Sequence, residues 1–240
     1  REKNKIIKPS ISLGYSTLTN EKENINTILK DAENWMYKNK LLESKSTRSS
    51  IIRSLEETLL EKDYETKEHT KRLKELAIRM GHSLGLPDHK INDLILLASL
   101  HDIGKIAIDD SILLKPGKLT DEEWEIMKQH SEIGYRIAKS SPELASISEA
   151  ILHHHEHWDG SGYPKGLQKE EIPLPSRIIS ILDAFDVMVH ERPYKQALSY
   201  KEAFDEIQRC AGTQFDPELV KTFVIEWKQI FLFLDDLEAY

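Results

Sequence analysis

INDLILLASLHDIGK, residues 91–105, is an apolar helical run that stops at a histidine and an aspartate. Ile91, Leu94, Ile95, Leu97 and Ala98 recur at helical spacing, and Asp88 stands where a cap would start the helix. Gly85-Leu86-Pro87 ends the helix before it. Adjacent helical residues point about 100° apart. His101 and Asp102 can therefore reach one metal together, or Asp102 can bridge two. A buried carboxylate with no partner is costly. A His-Asp pair standing alone reads as a solvated helix end, so its meaning depends on what else the chain supplies.

The chain supplies more of the same chemistry. It has ten histidines, and four of them fall between residues 153 and 157, a clustering that a solvated surface does not explain. His154 and His155 end the apolar segment ISEAILHHH, residues 147–155, and His130 lies in a predicted helix over 124–137. Asp183 and Asp186 stand at i,i+3 inside IISILDAFD, residues 178–186, where two carboxylates in apolar surroundings call for cations. Upstream, Glu65 and His69 at i,i+4 share a helix face and can meet one metal. Their neighbour Glu68 is spaced to pair with Arg72. The candidate ligands are thus Glu65, His69, His101, Asp102, His130, His154, His155 and Asp183. Imidazoles and carboxylates without thiolates suit iron, manganese or zinc. Eight donors exceed one tetrahedral zinc and suit two or three octahedral ions. Such sites act on phosphate esters, clamping both the attacking and the leaving oxygen.

Composition narrows the alternatives. Net charge is −8 over 240 residues, which repels polyanions and argues against a nucleic-acid polymer as partner. Cys210 is the single cysteine, so no internal disulfide framework exists, and a cytoplasmic location is expected. The densest apolar run, Leu94 to Leu100, is far short of the roughly 18 residues needed to span a bilayer. The chain opens at Arg1 without a leader-like segment and reads as a piece of a longer protein, whose upstream part could carry a membrane anchor.

Residues 61 onward read as consecutive helices. Thr120-Asp121-Glu122-Glu123 resembles a capped helix start. Residues 142–155 read as another helix, a Gly/Pro-rich loop covers 159–175, and 178–190 is a central helix apolar nearly all round. Two or three further helices close the chain. The apolar stripe from Phe223 to Leu237 reads as helix packing or a homodimer contact. Before these helices, residues 10–18 read as one strand, 25–40 as a helix and 41–60 as a charged, Ser-rich linker helix.

At this point the chain resembles a known family. His101-Asp102-Ile103-Gly104-Lys105 matches the H-D-x-G-K core of HD-domain phosphohydrolases. His154-His155-Glu156 through Asp159-Gly160-Ser161-Gly162-Tyr163-Pro164 matches the H-H-E-x-x-D-G-x-G-Y-P motif of the HD-GYP subfamily. Asp183-Ala184-Phe185-Asp186, Arg192-Pro193-Tyr194-Lys195 and Gly212-Thr213-Gln214-Phe215-Asp216-Pro217 follow in the family's order. Residues 10–40 resemble the C-terminal end of a GGDEF domain, with Ala32, Met36, Tyr37 and Lys40 matching its last helix.

The resemblance implies an all-α HD-type helical bundle with a Gly/Pro-rich GYP loop, plus a short N-terminal strand-helix remnant. The domains would be a GGDEF-like remnant over 1–43, a linker helix over 44–60 and an HD-GYP domain over 61–240. It implies a phosphodiesterase that cleaves cyclic di-GMP to pGpG, with a second cleavage to GMP left open, through attack by a metal-bridging hydroxide. Position by position, it makes His69, His101, Asp102, His130, His154, His155 and Asp183 metal ligands, with Asp102 bridging and Glu65 serving a third ion. Two or three divalent ions are implied, iron first and manganese as the alternative. Asp102 and Lys105 are the implied catalytic residues. Lys105, Tyr163, Asp186, Arg192 and Lys195 are the implied substrate contacts. The implied partners, besides cyclic di-GMP, are the protein's own upstream GGDEF or sensor region and other GGDEF-domain proteins. Two other readings stay open: a cyclic di-GMP binding module with little turnover, and a phosphohydrolase for another cyclic dinucleotide.

Overall fold

The computed structural model describes Leu29 and residues 50–62, 67–191 and 196–238, with side chains described as far as Trp227. The chain divides into two compact units, Arg1–Ser54 and Leu55–Tyr240. The strand expected over 10–18, the helix over 25–40 apart from Leu29, and Glu65, Arg192 and Lys195 lie outside the described residues.

Among the described residues every regular element is helical: α1 (residues 50–62), α2 (Lys67–Ser83), α3 (Asp88–Leu100), α4 (Asp110–Leu113), α5 (Asp121–Lys128), α6 (His130–Ser140), α7 (Ser148–Leu152), α8 (Leu174–Val189), α9 (Tyr200–Arg209) and α10 (Pro217–Glu238). None of them is long and apolar enough to cross a membrane. α2 packs on α3 and α8, α6 packs on α7 and on a 3-10 turn over Ile103–Ala107, and α9 packs on α8 and α10.

The core follows from helical periodicity. His69, Leu73, Leu76, Ala77 and Met80 form one buried stripe along α2. Gly85 then takes a positive φ of 65°, and Leu86 N–H bonds back to the Gly81 carbonyl at 2.9 Å, which closes the helix end. Pro87, not Asp88, takes the cap position of α3, and no side chain caps it. Proline needs no capped N–H and presets the entry angle. α8 is buried on several sides through Ile178, Ile179, Ile181, Leu182 and Phe185. The Phe185 ring centre is 4.9 Å from that of Phe204 and 5.0 Å from that of Phe223, and Trp227 lies beyond, 4.8 Å from Phe223 with the two rings tilted by 49°. Phe223 and Trp227 therefore belong to the core of this unit.

Two predicted helices turn out to be broken, and both breaks bear on the site. The expected helix over 124–137 ends at Lys128 and restarts at His130, with Gln129 as the shared residue. The capping box at its start, between Thr120 and Glu123, is present as expected. The expected helix over 142–155 shortens to a 3-10 turn, Ala145–Ile147, and α7. His153, His154 and His155 thus lie in the turn after α7.

Candidate metal centre

Asp102 follows the last helical residue of α3 and its cap, His101, with φ −97° and ψ 13°, a sparsely populated region common at active sites. The 3-10 turn that follows presses against the start of α6. A Cβ added at Gly104 would stand 1.9 Å from the His130 carbonyl oxygen, so only glycine permits this approach. That approach brings His130 to Asp102. The break after Lys128 makes His130 the first residue of α6, and the turn after α7 presents His154 and His155.

The first cluster comprises Asp102, His130, His154 and His155, whose donor atoms lie within 4.8 Å of one another. His130 Nε2 is 3.1 Å and His154 Nε2 is 3.5 Å from the same Asp102 Oδ1. The two Nε2 atoms are 3.4 Å apart. Their opposite nitrogens are engaged: His130 Nδ1 donates to the Met127 carbonyl at 2.8 Å, and His154 Nδ1 to the Ile151 carbonyl at 2.6 Å. A carbonyl only accepts, so the ring protons sit on Nδ1 and both Nε2 atoms turn lone pairs inward. Asp102 Oδ1 is buried and makes no hydrogen bond among the described residues. Two lone pairs and a carboxylate oxygen facing one another are stable only with a cation between them.

The electrostatics agree. Burial holds the His154 imidazole below its ordinary pKa, and burial together with His154 holds His155 well below it. Both rings are therefore neutral donors at neutral pH. Burial alone would raise the Asp102 pKa, but Lys105 and the imidazole of His101 outweigh it and hold the carboxyl well below the usual range. Lys105 Nζ lies 2.8 Å from Asp102 Oδ2.

The second cluster is His69, His101 and Asp183, again with donor atoms within 4.8 Å of one another. Asp102 connects the two: its Oδ1 faces His130 and His154, and its Oδ2 is 3.4 Å from His101 Nε2. Asp183 Oδ1 is 3.5 Å from His69 Nε2, buried and without a hydrogen bond among the described residues. The donor set and these two orphaned carboxylate oxygens fit divalent ions, so the buried His/Asp cluster could hold metal.

Asp186 does not sit as the sequence suggested. Expected as a substrate contact, its side chain is buried and both oxygens are taken. Oδ2 accepts from His69 Nδ1 at 2.7 Å and from Arg72 Nη2 at 2.9 Å, and Oδ1 accepts from Arg72 Nε at 2.6 Å. Burial pushes the Asp186 pKa up, but these hydrogen bonds win and hold it at about 2. Arg72 accordingly pairs with Asp186 rather than with Glu68, which is exposed. Helical spacing can suggest only local partners, and this pair spans 114 residues.

The Gly/Pro-rich loop closes one side. Tyr163 stacks on His155, with ring centres 4.8 Å apart and planes 27° apart. Glu156 entered the sequence reading only as a letter of the H-H-E motif, and the structure makes it the brace of this loop. It is buried and accepts from the backbone N–H groups of Lys165 at 2.7 Å and Leu167 at 3.1 Å. Gly162 lies so close to the His155–His157 backbone that a Cβ would stand 2.3 Å from His157 N. Trp158 N–H and Asp159 N–H bond to the carbonyls of Gln214 and Thr213, which ties the loop to the turn before α10. A cavity of about 150 Å³ opens beside the clusters, lined by His154, His155, Asp183 and Gln214 among others. Of the remaining histidines, His82 and His89 are exposed, and His153 is buried with its Nδ1 3.4 Å from Glu156 Oε1.

Comparison with known proteins gives the same picture. Residues 53–219 match the HD domain family. A protein of Thermotoga maritima named cyclic di-GMP phosphodiesterase is 47% identical over 171 residues, 70% of this chain and 46% of the relative. A Vibrio cholerae protein named 3′3′-cGAMP-specific phosphodiesterase 2 is 35% identical over 193 residues, 80% of this chain and 37% of the relative. The chain thus spans less than half the length of these curated relatives. A crystal structure of a cyclic GMP-AMP specific phosphodiesterase of V. cholerae superposes with a TM-score of 0.57 at 24% identity, covering 77% of this chain and 50% of that one. At that identity the likeness speaks for the fold, which is the all-α HD fold. The family match covers well over half of the chain and contains both clusters, and the chain belongs to the HD domain family.

Proposed function

We propose that this chain is a metal-dependent phosphodiesterase that hydrolyses cyclic di-GMP, with pGpG or GMP as the end product. The observation that carries the reading is Asp102, whose two oxygens face two separate donor clusters. One carboxylate so placed suits a pair of adjacent ions. His130, His154 and His155 would hold one ion, His69, His101 and Asp183 the other, with Asp102 shared. Glu65 would serve a third ion. Iron fits the mixed imidazole and carboxylate set, with manganese as the alternative. When bound, such ions supply Lewis acidity toward a phosphodiester and make water acidic enough to attack it.

The chain's own residues do the rest. Lys105 Nζ, 2.8 Å from Asp102 Oδ2, brings a positive charge to the edge of the centre. There it stabilises charge on the phosphoryl oxygens or delivers a proton to the departing 3′-oxygen. Tyr163, stacked on His155, offers a ring edge to the ligand beside the loop. Arg192 and Lys195 complement the two phosphates in a chain of net charge −8. Residues 1–43 are, in this reading, the end of a GGDEF domain, and 44–60 a linker.

A second reading keeps the chemistry and changes the substrate to cyclic GMP-AMP. It is favoured by the relative of V. cholerae named for that ligand. The experiment is chromatography of cyclic di-GMP and of cyclic GMP-AMP after incubation with protein purified without oxygen and loaded with ferrous iron or manganese. Appearance of pGpG or GMP, lost in Asp102→Ala, supports the first reading. Turnover of cyclic GMP-AMP alone supports the second. Intact ligands with a fully metallated protein contradict both.

A further inference from the structure

We propose that Arg72, acting through Asp186, is a positioning residue for His69 and so for the His69–His101–Asp183 half of the centre. The inference rests on the metal-centre reading above.

The argument starts from what holds each imidazole. His130 and His154 are aimed by backbone carbonyls a few residues away. His69 has an anchor from another helix. Its Nδ1 donates to Asp186 Oδ2, a side chain 117 residues further along, at 2.7 Å. A carboxylate accepts only, so this bond puts the proton on Nδ1 and directs the Nε2 lone pair towards Asp183 Oδ1, 3.5 Å away. The aim of His69 therefore depends on the aim of Asp186.

Asp186 is in turn held by a fork. Arg72 Nε meets Oδ1 at 2.6 Å and Arg72 Nη2 meets Oδ2 at 2.9 Å, the bidentate geometry that a guanidinium provides and an ammonium does not. Two parallel bonds fix the carboxylate plane as well as its place. His190 Nδ1 donates to the Asp186 backbone carbonyl at 3.0 Å and lies 3.4 Å from Asp186 Oδ1, a longer contact than either arm of the fork. Arg72 and His69 stand three residues apart on α2, so one helix face carries both the imidazole and the group that orients its partner. Arg72 also lines a cavity of about 260 Å³ with Leu76, Phe185, Val189 and Trp227. Its guanidinium can thus be replaced from outside, which makes the role testable by rescue.

The test uses Arg72→Ala, Arg72→Lys and wild type, each read in two ways. In metal-free protein, histidine ¹⁵N shifts report which His69 nitrogen carries the proton. In a manganese titration, the number of ions per chain and the affinity of each are read. We expect wild type to show His69 as the Nδ1–H form. Arg72→Ala should mix the tautomers and weaken one ion by about 10–100-fold while sparing the other. Arg72→Lys should fall between, since it keeps charge but not the fork. Methylguanidinium added to Arg72→Ala should restore both readouts towards wild type.

An Arg72→Ala protein with unchanged tautomer and unchanged ion affinities overturns the proposal. So does equal weakening of both ions with no rescue, which marks general loosening. Wild type that shows the Nδ1–H form but binds no metal overturns the metal-centre reading and leaves the positioning geometry standing, so the two failures are distinguishable.

Discussion

The two halves of the centre are aimed by different means. His130 and His154 are set by main-chain carbonyls at Met127 and Ile151, three residues before each ring. His69 is set by a side-chain relay through Asp186 and Arg72 that spans two helices. Backbone anchoring depends on no single neighbouring side chain, only on the main chain keeping its place. A relay can be cut at each link. The first half should therefore be robust to substitution around it, and the second fragile. Asp102 joins them and is exempt from neither.

The comparison can be broken most completely at Asp102. Asp102→Ala should remove both ions and drop turnover to the level of the chelated wild-type protein. Metal analysis alongside product chromatography checks this, and retention of either ion would mean the halves are independent. Next is Lys105, which touches the shared carboxylate from outside the donor set. Lys105→Ala should lower kcat by about 10²–10³-fold with both ions retained. Steady-state kinetics on metal-saturated protein would show it.

Gly104→Ala tests the backbone-anchored half. The added methyl meets the His130 carbonyl oxygen, which cannot swing aside as a side chain would. We expect a loss of about 3 kcal/mol, or about 6–12 °C in Tm, with the first-half ion weakened more than the second. Thermal melting of the metal-free protein measures the former. A smaller effect, about 1–2 kcal/mol, is expected for Asp216→Ala. Asp216 accepts from Glu218 N–H at 2.9 Å to cap α10 and from Arg177 Nη1 at 2.6 Å, yet touches neither half. Its metal titration should match wild type, which makes it the control for loosening at a distance.

The smallest effect is a pH dependence that should be nearly absent. Burial lowers the pKa of both His154 and His155 below 6.5. Protons compete with metal at these two rings only once pH falls through the lowered values, so mild acidification from neutral pH should cost little affinity through them. A steep loss on mild acidification, seen by metal titration at several pH values, would show that these rings are not held neutral.

What the sequence revealed, and what it hid, follows the same division. His101, Asp102, His154, His155 and Asp183 stood out because polar ligands sit at the ends or inside of apolar helical runs, where solvation offers no excuse for them. Helical periodicity likewise exposed α2, α3 and α8. The break at Gln129 was invisible because no glycine or proline marks it, and Gln129 keeps helical angles. The roles of Arg72 and Asp186 were hidden for a different reason. Local spacing pairs Arg72 with Glu68, and only the packing of α2 on α8 brings in a carboxylate from 114 residues away.

The claim that one carboxylate joins two metal-binding halves is tested most directly by electron paramagnetic resonance of the manganese-loaded protein. Two ions bridged through Asp102 should give an exchange-coupled spectrum that disappears in Asp102→Ala. The hyperfine pattern of isolated manganese at full loading, unchanged by that substitution, would contradict it.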